Sequence, residues 1–287
     1  MYCQSYFSSI GSRFLLFAGI LFLAFSTPVP GVAAEFLDGQ VRSAALDQKT
    51  MCGISRSRKC DLADAIDLGL FETGLRPQFP DGLDCRDIDE QWAIDYSGKR
   101  ARQNFHGGID MPAPYDTPII AAADGTVVFV SEGEGSFRGR ELILRHSPAE
   151  TGHPYWIYTQ YAHFNREMTQ TLGQRIKMGE VLGPTGNSGR SKESEQQSLK
   201  RRPAIHFAVW FSESPSFVNH KNRLIVPVGG LWMDPNALYR KGPPFDSAAL
   251  KALPEADKKV LIPVMLEDGT TIPADTKLIW PYSCKRL

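Results

Sequence analysis

Three short stretches carry side chains that could do chemistry. His106-Gly107-Gly108-Ile109-Asp110 sets an imidazole and a carboxylate four positions apart. On a straight strand that separation spans ~13 Å. Two ligands of one zinc ion must each reach it at ~2.0–2.2 Å, so the chain would have to bend between them. Gly107 and Gly108 give it that freedom, and two adjacent glycines argue against a helix. Taken alone, a His-x-x-x-Asp spacing is a weak signal and reads first as an ordinary turn with a surface histidine. His206 lies in Pro203-Ala204-Ile205-His206-Phe207-Ala208-Val209-Trp210. Strand alternation sends Ala204, His206 and Ala208 to one face and Ile205, Phe207 and Val209 to the other. Small neighbours leave room around its ring, as on a cleft floor; a satisfied core histidine is the competing reading. His163 closes the aromatic run that starts at Tyr155. Alternation places it with Tyr161, on the side of Tyr155 and Ile157. A strand end suits a working side chain, and it suits a surface cap equally.

The elements that must position these residues are short strands. Pro118 to Val130 is apolar and β-branched, broken by the turn Asp124-Gly125. Glu141 to Arg145, Tyr155 to Phe164 and Ala204 to Phe211 read as strands, and Val181 to Gly189 as a glycine-punctuated turn region. Short strands with Gly, Asp and Pro between them make 91–240 a mainly β domain. Residues 190–202 are polar and charged and read as a solvated loop. The segment 35–90 is an N-terminal appendage with a helix over Asp61 to Leu70, stopped by Gly74 and Pro77. The tail, 241–287, opens on Gly242-Pro243-Pro244. It is expected to hold a short helix from Ser247 to Asp257 and a β-hairpin, Val260 to Glu267 with Thr270 to Trp280, about Asp268-Gly269.

Composition narrows the setting. Thirty-two basic and thirty-two acidic residues leave no net charge, which argues against nucleic acid as a partner. Arg13, the apolar run Phe14 to Phe25 and Val32-Ala33-Ala34 are ordered as an n-region, an h-region and a small-residue cleavage site. Residues 1–34 therefore read as a signal peptide, with an uncleaved membrane anchor as the competing reading. The destination expected is periplasmic or secreted. Cys52, Cys60, Cys85 and Cys284 then remain, an even number that suggests two disulfides with three possible pairings.

Together these segments resemble the lysostaphin-type, LytM-like zinc endopeptidases. The resemblance is carried by His106-Gly-Gly-Ile-Asp110, Thr117-Pro118-Ile119-Ile120-Ala121, Asp124-Gly125-Thr126-Val127, Tyr161-Ala162-His163, Gly186-Asn187-Ser188-Gly189-Arg190-Ser191, Ile205-His206-Phe207 and Met233-Asp234-Pro235. It covers roughly 100–235 and neither flank. It implies antiparallel sheets with an open groove, and zinc held by His106, Asp110 and His206 with the fourth position open. His163 takes the place of a catalytic histidine. Such a donor set is that of a hydrolytic zinc centre. In one place the chain departs from the family: the last motif is His-x-His, and Ala204 stands where the first histidine belongs. Losing one acid–base group typically costs 10²–10⁴-fold. Glu193, Glu195, His146, His153 and His220 are the residues weighed as replacements, the three histidines being expected at the surface. An endopeptidase acting on peptidoglycan cross-bridges or stem peptides is the leading expectation. An impaired module that binds the wall or regulates another wall hydrolase is the second, and a purely structural zinc the third.

Overall fold

The computed structural model describes residues 36–56, 59–88, 106–133, 136–191, 194–197 and 202–287. The signal-peptide reading, Glu193 and the side chain of Glu195 lie outside what is described. Among the described residues no helix is long and apolar enough to cross a membrane.

Seven strands form the central sheet: β1 (Ile109–Pro112), β2 (Gly125–Ser131), β3 (Glu141–His146), β4 (Trp156–Ala162), β5 (Arg175–Ile176), β6 (Ala204–Ser212) and β7 (Leu231–Met233). Their order is β7-β6-β4-β3-β2-β5, and β1 also pairs with β6. Every pairing is antiparallel. The fold is thus mainly β, as the alternating, β-branched segments require. β6 is the axis. Its first residues, Ala204 to Phe207, border β1, and Val209 to Phe211 border β7. Its other edge runs along β4 from His206 to Ser212.

All nine residues of β6 are buried, so both faces of the sheet are covered at this strand. Tyr161 and Phe207 meet on one face, ring centroids 5.3 Å apart. Phe207 is completely buried, and a buried aromatic of this kind typically stabilises a core by ~3–5 kcal/mol relative to alanine.

The flanks are less separable than their sequence suggests. Ile54, Ala65, Leu68 and Leu70 from the N-terminal segment, and Leu250, Val264, Trp280 and Tyr282 from the tail, belong to the same hydrophobic cluster as the sheet. Among the described residues of the N-terminal segment, two α-helices form, α1 (Gln48–Ser55) and α2 (Leu62–Asp67). α1 precedes the one helix expected there; its start is fixed by the Asp47 side chain accepting from the Thr50 N–H at 2.7 Å. α2 begins where expected, capped by Asp61, but stops at Leu68, before Gly69 at φ 94° and well before Gly74. In the tail the helix is Ser247–Lys251, with a 3₁₀ turn at Glu255–Lys258 after Pro254. The hairpin shrinks to Val264–Met265 with Thr271–Ile272, because Lys259–Leu261 pairs in parallel with Arg76–Gln78 instead. The two cysteine pairs are Cys52–Cys60 and Cys85–Cys284. The second joins the two flanks beside the ladder Leu83–Asp84 with Lys285–Arg286.

Candidate metal centre

One cross-strand row builds the site. Glu141 on β3, Ala162 on β4, His206 on β6 and Asp110 on β1 are successive partners across four strands. Residues directly opposite in an antiparallel pair share a face, with Cβ atoms ~4.5–5.5 Å apart. Register alone therefore brings Asp110 to His206, although 96 positions separate them. His206 Nδ1 lies 2.9 Å from Asp110 Oδ1.

His106 lies outside the sheet and must fold back to join them. The turn is made by Gly107, at φ 70°, a region that L side chains rarely adopt. Gly108 answers a different need. A Cβ there would stand 2.4 Å from Cε1 of His206, so only glycine lets the backbone pass the ring. His106 Nε2 comes within 3.1 Å of Asp110 Oδ1, and the His106 and His206 rings are 4.8 Å apart.

His163 arrives by a less regular route. Strict alternation would turn it away from His206, because its neighbour Ala162 is the residue that faces His206. The backbone leaves the strand at this point with φ 73°, and the ring returns to 5.9 Å from that of His206. This corrects the expectation that it shares the Tyr161 face. The Ser188 carbonyl sits 2.7 Å from His163 Nδ1. A carbonyl only accepts, so Nδ1 carries the hydrogen and the Nε2 lone pair is the one that can take a proton. Ser188 belongs to the Gly186-Asn187-Ser188-Gly189 segment, whose part in the site is thus to orient a ring.

His106, Asp110, His163 and His206 are all buried. Burial pushes His206 down to about 4, against the hydrogen bond it makes to Asp110. Burial would raise Asp110, but the contacts of His106 and His206 outweigh it and hold the carboxyl well below its usual range. A neutral imidazole and an ionised carboxylate are the states a metal needs. His106, Asp110 and His206 offer three ligand atoms within 4.8 Å of one another, the only such group of three or more among the described residues. Separations of 2.9 and 3.1 Å approach the ~3.3 Å between ligands around a tetrahedral zinc with ~2.0 Å bonds. The donor set fits zinc in kind, and the two separations that involve Asp110 fit it in spacing.

Residues 104–218 match the family model of Peptidase family M23. The chain carries an M23 peptidase domain. The peptidoglycan DD-endopeptidase ShyC of Vibrio cholerae is 38% identical over 85 residues, 30% of this chain and 17% of that protein. The DD-carboxypeptidase/endopeptidase Mpg of Neisseria meningitidis is 36% identical over 87 residues, 30% of this chain and 18% of its own. The matched stretch thus spans under a fifth of either relative. Among solved structures, a mutant catalytic domain of the prophage-encoded M23 protein EnpA from Enterococcus faecalis aligns at 24% identity and TM-score 0.32, over 47% of this chain and 85% of its own. A zinc-containing peptidase from Vibrio cholerae aligns at 20% identity and TM-score 0.35, over 50% of this chain and 38% of its own.

Ala204 is buried on β6, two residues before His206 on the same face, its N–H bonded to Gly186. None of the histidines weighed as its replacement stands there. His146 and His153 are not at the surface, as expected, but buried, and each is held by its own surroundings. His146 bonds to the Asp124 carbonyl at 2.6 Å and the Thr159 hydroxyl at 2.8 Å. His153 bonds to the Leu238 carbonyl at 2.7 Å. His220 is half-buried on Phe217–His220, a strand of a separate two-stranded sheet. Two residues beside the site escaped the sequence reading. Glu141 is fully buried in the site's own row, bonded to Arg138 and Gln160; burial raises its pKa and Arg138 opposes that. Arg56, from the N-terminal segment, bonds to the backbone of His106. A disulfide around it was the one signal that could have drawn attention to it.

Proposed function

We propose that this chain is a zinc-dependent endopeptidase that hydrolyses peptide bonds in peptidoglycan, in cross-bridges or stem peptides. The observation that carries the reading is the convergence of His106, Asp110 and His206 on one point, in a domain matching Peptidase family M23. A zinc ion bound there supplies an acidified water and a Lewis acid for a peptide carbonyl. His106, Asp110 and His206 would hold it, and three protein ligands are the number that hydrolytic rather than structural zinc centres use. His163 takes or returns a proton through Nε2, its tautomer fixed by Ser188. The relatives named for peptidoglycan endopeptidase activity point to the wall peptide as substrate. Two disulfides favour a compartment outside the cytoplasm, periplasmic or secreted.

Ala204 favours a second reading, a zinc-binding module with impaired chemistry that binds the wall or acts on another wall hydrolase. One experiment separates the two. Purified protein is incubated with peptidoglycan, and released amino termini are measured with chelator, and again after zinc is restored. Release that chelator stops and zinc restores supports the enzyme. Zinc binding without any release supports the module.

A further inference from the structure

Arg56 caps the C-terminus of α1 in a left-handed conformation, φ 51°, inside the loop closed by the Cys52–Cys60 disulfide. Its Nη1 donates to the carbonyl oxygen of His106 at 2.6 Å. Its guanidinium lies 5.2 Å from the centroid of the Trp232 ring. Trp232 in turn donates its Nε1–H to the Gly53 carbonyl of α1 at 3.1 Å. Helix, indole and metal-side turn therefore close a circuit around one guanidinium. Gly107 is packed directly against it: a Cβ there would stand 2.3 Å from Arg56 Nη1 and 3.1 Å from Cη2 of Trp232.

We propose that Arg56 is a positioning residue for the metal centre, gripping the His106 backbone and thereby setting where the His106 imidazole meets Asp110 and His206. The inference rests on the zinc reading above. Asp110 and His206 are held by a ladder of paired strands. His106 is the ligand that lies off the sheet, tied to it through two glycines, the residues with the most backbone freedom to lose. A charge-assisted hydrogen bond to its carbonyl supplies the restraint that the ladder cannot. The N-terminal segment, which the family match does not reach, is on this account part of the metal site. Outer groups that orient a ligand are typically worth 10–100-fold in metal affinity.

The test measures zinc affinity of the full chain by competition with a chromogenic chelator, beside the melting temperature of the metal-free protein. Arg56→Met keeps an apolar stem over Trp232 and removes every donor; it is expected to weaken zinc binding ~10–100-fold. Arg56→Lys restores one donor without the planar fork and is expected to fall between Arg56→Met and wild type. A merely structural role would lower the melting temperature and leave zinc affinity unchanged. Arg56→Met binding zinc as tightly as wild type overturns the inference and leaves the zinc reading standing. A wild-type chain that binds no zinc overturns both.

Discussion

At one end of the central sheet His206 faces Asp110 across a ladder; at the other end His146 faces Ile157. The two rows are five residues apart along β4, roughly 16 Å. Both imidazoles are buried, and burial pushes both down to about 4. Neither burial nor a depressed pKa therefore distinguishes a candidate metal ligand from a packed histidine. The difference lies in what the nitrogens meet. His146 spends both on the Asp124 carbonyl and the Thr159 hydroxyl, groups of its own core. His206 meets a carboxylate that a second imidazole also reaches. Convergence of donors, not the state of any one ring, marks the site.

The largest expected effect breaks that comparison at its centre. Asp110→Ala or His206→Ala should lower zinc affinity by well over ~100-fold, more than changes to outer groups typically do, and abolish peptidoglycan hydrolysis. His146→Ala should leave zinc content per folded molecule unchanged; metal analysis of the purified variants checks both. Next comes His163→Ala, which should retain zinc and lose ~10²–10⁴-fold in turnover, as for removal of one acid–base group. Amino termini released from peptidoglycan measure it. Ala204→His is the converse. It adds an imidazole two residues from His206 on the same face, and should raise turnover up to ~100-fold without changing zinc stoichiometry.

The last effect, on stability and not on turnover, sharpens the other end of the sheet. His146 is neutral in the fold, with its pKa lowered to about 4 against 6.5. A group depressed in the folded state stabilises it fully above the unfolded pKa, and that stability is lost as pH falls through the folded value. Between pH 6.5 and 4 the metal-free protein should lose up to about 3 kcal/mol through this one ring. Urea midpoints at about pH 7 and about pH 4.5 read the loss, and His146→Gln should show a smaller drop than wild type.

The strands were legible because alternation and β-branched runs report directly on a pleated sheet; the row they form was not, because register is a long-range property. β6 and β4 appear almost where Ala204 to Phe211 and Tyr155 to Phe164 place them. The convergence of His106, Asp110 and His206 was legible only through the family resemblance, since no local pattern tells that strands a hundred positions apart are neighbours. The face of His163 was misread because period-two alternation assumes extended backbone, and one left-handed residue undoes it. Arg56 was signalled only by the cysteines that flank it, because its contact with His106 depends on where a short helix packs. The tail looked separable because Gly242-Pro243-Pro244 reads as a linker, yet Trp280 and Tyr282 lie fully buried in the shared core.

The most direct measurement is the zinc content of the full-length protein after exhaustive dialysis, set beside that of Asp110→Asn. One zinc ion per wild-type chain and almost none in the variant is the result predicted. Equal zinc in both, or none in either, would contradict a centre built on Asp110 and its two histidines.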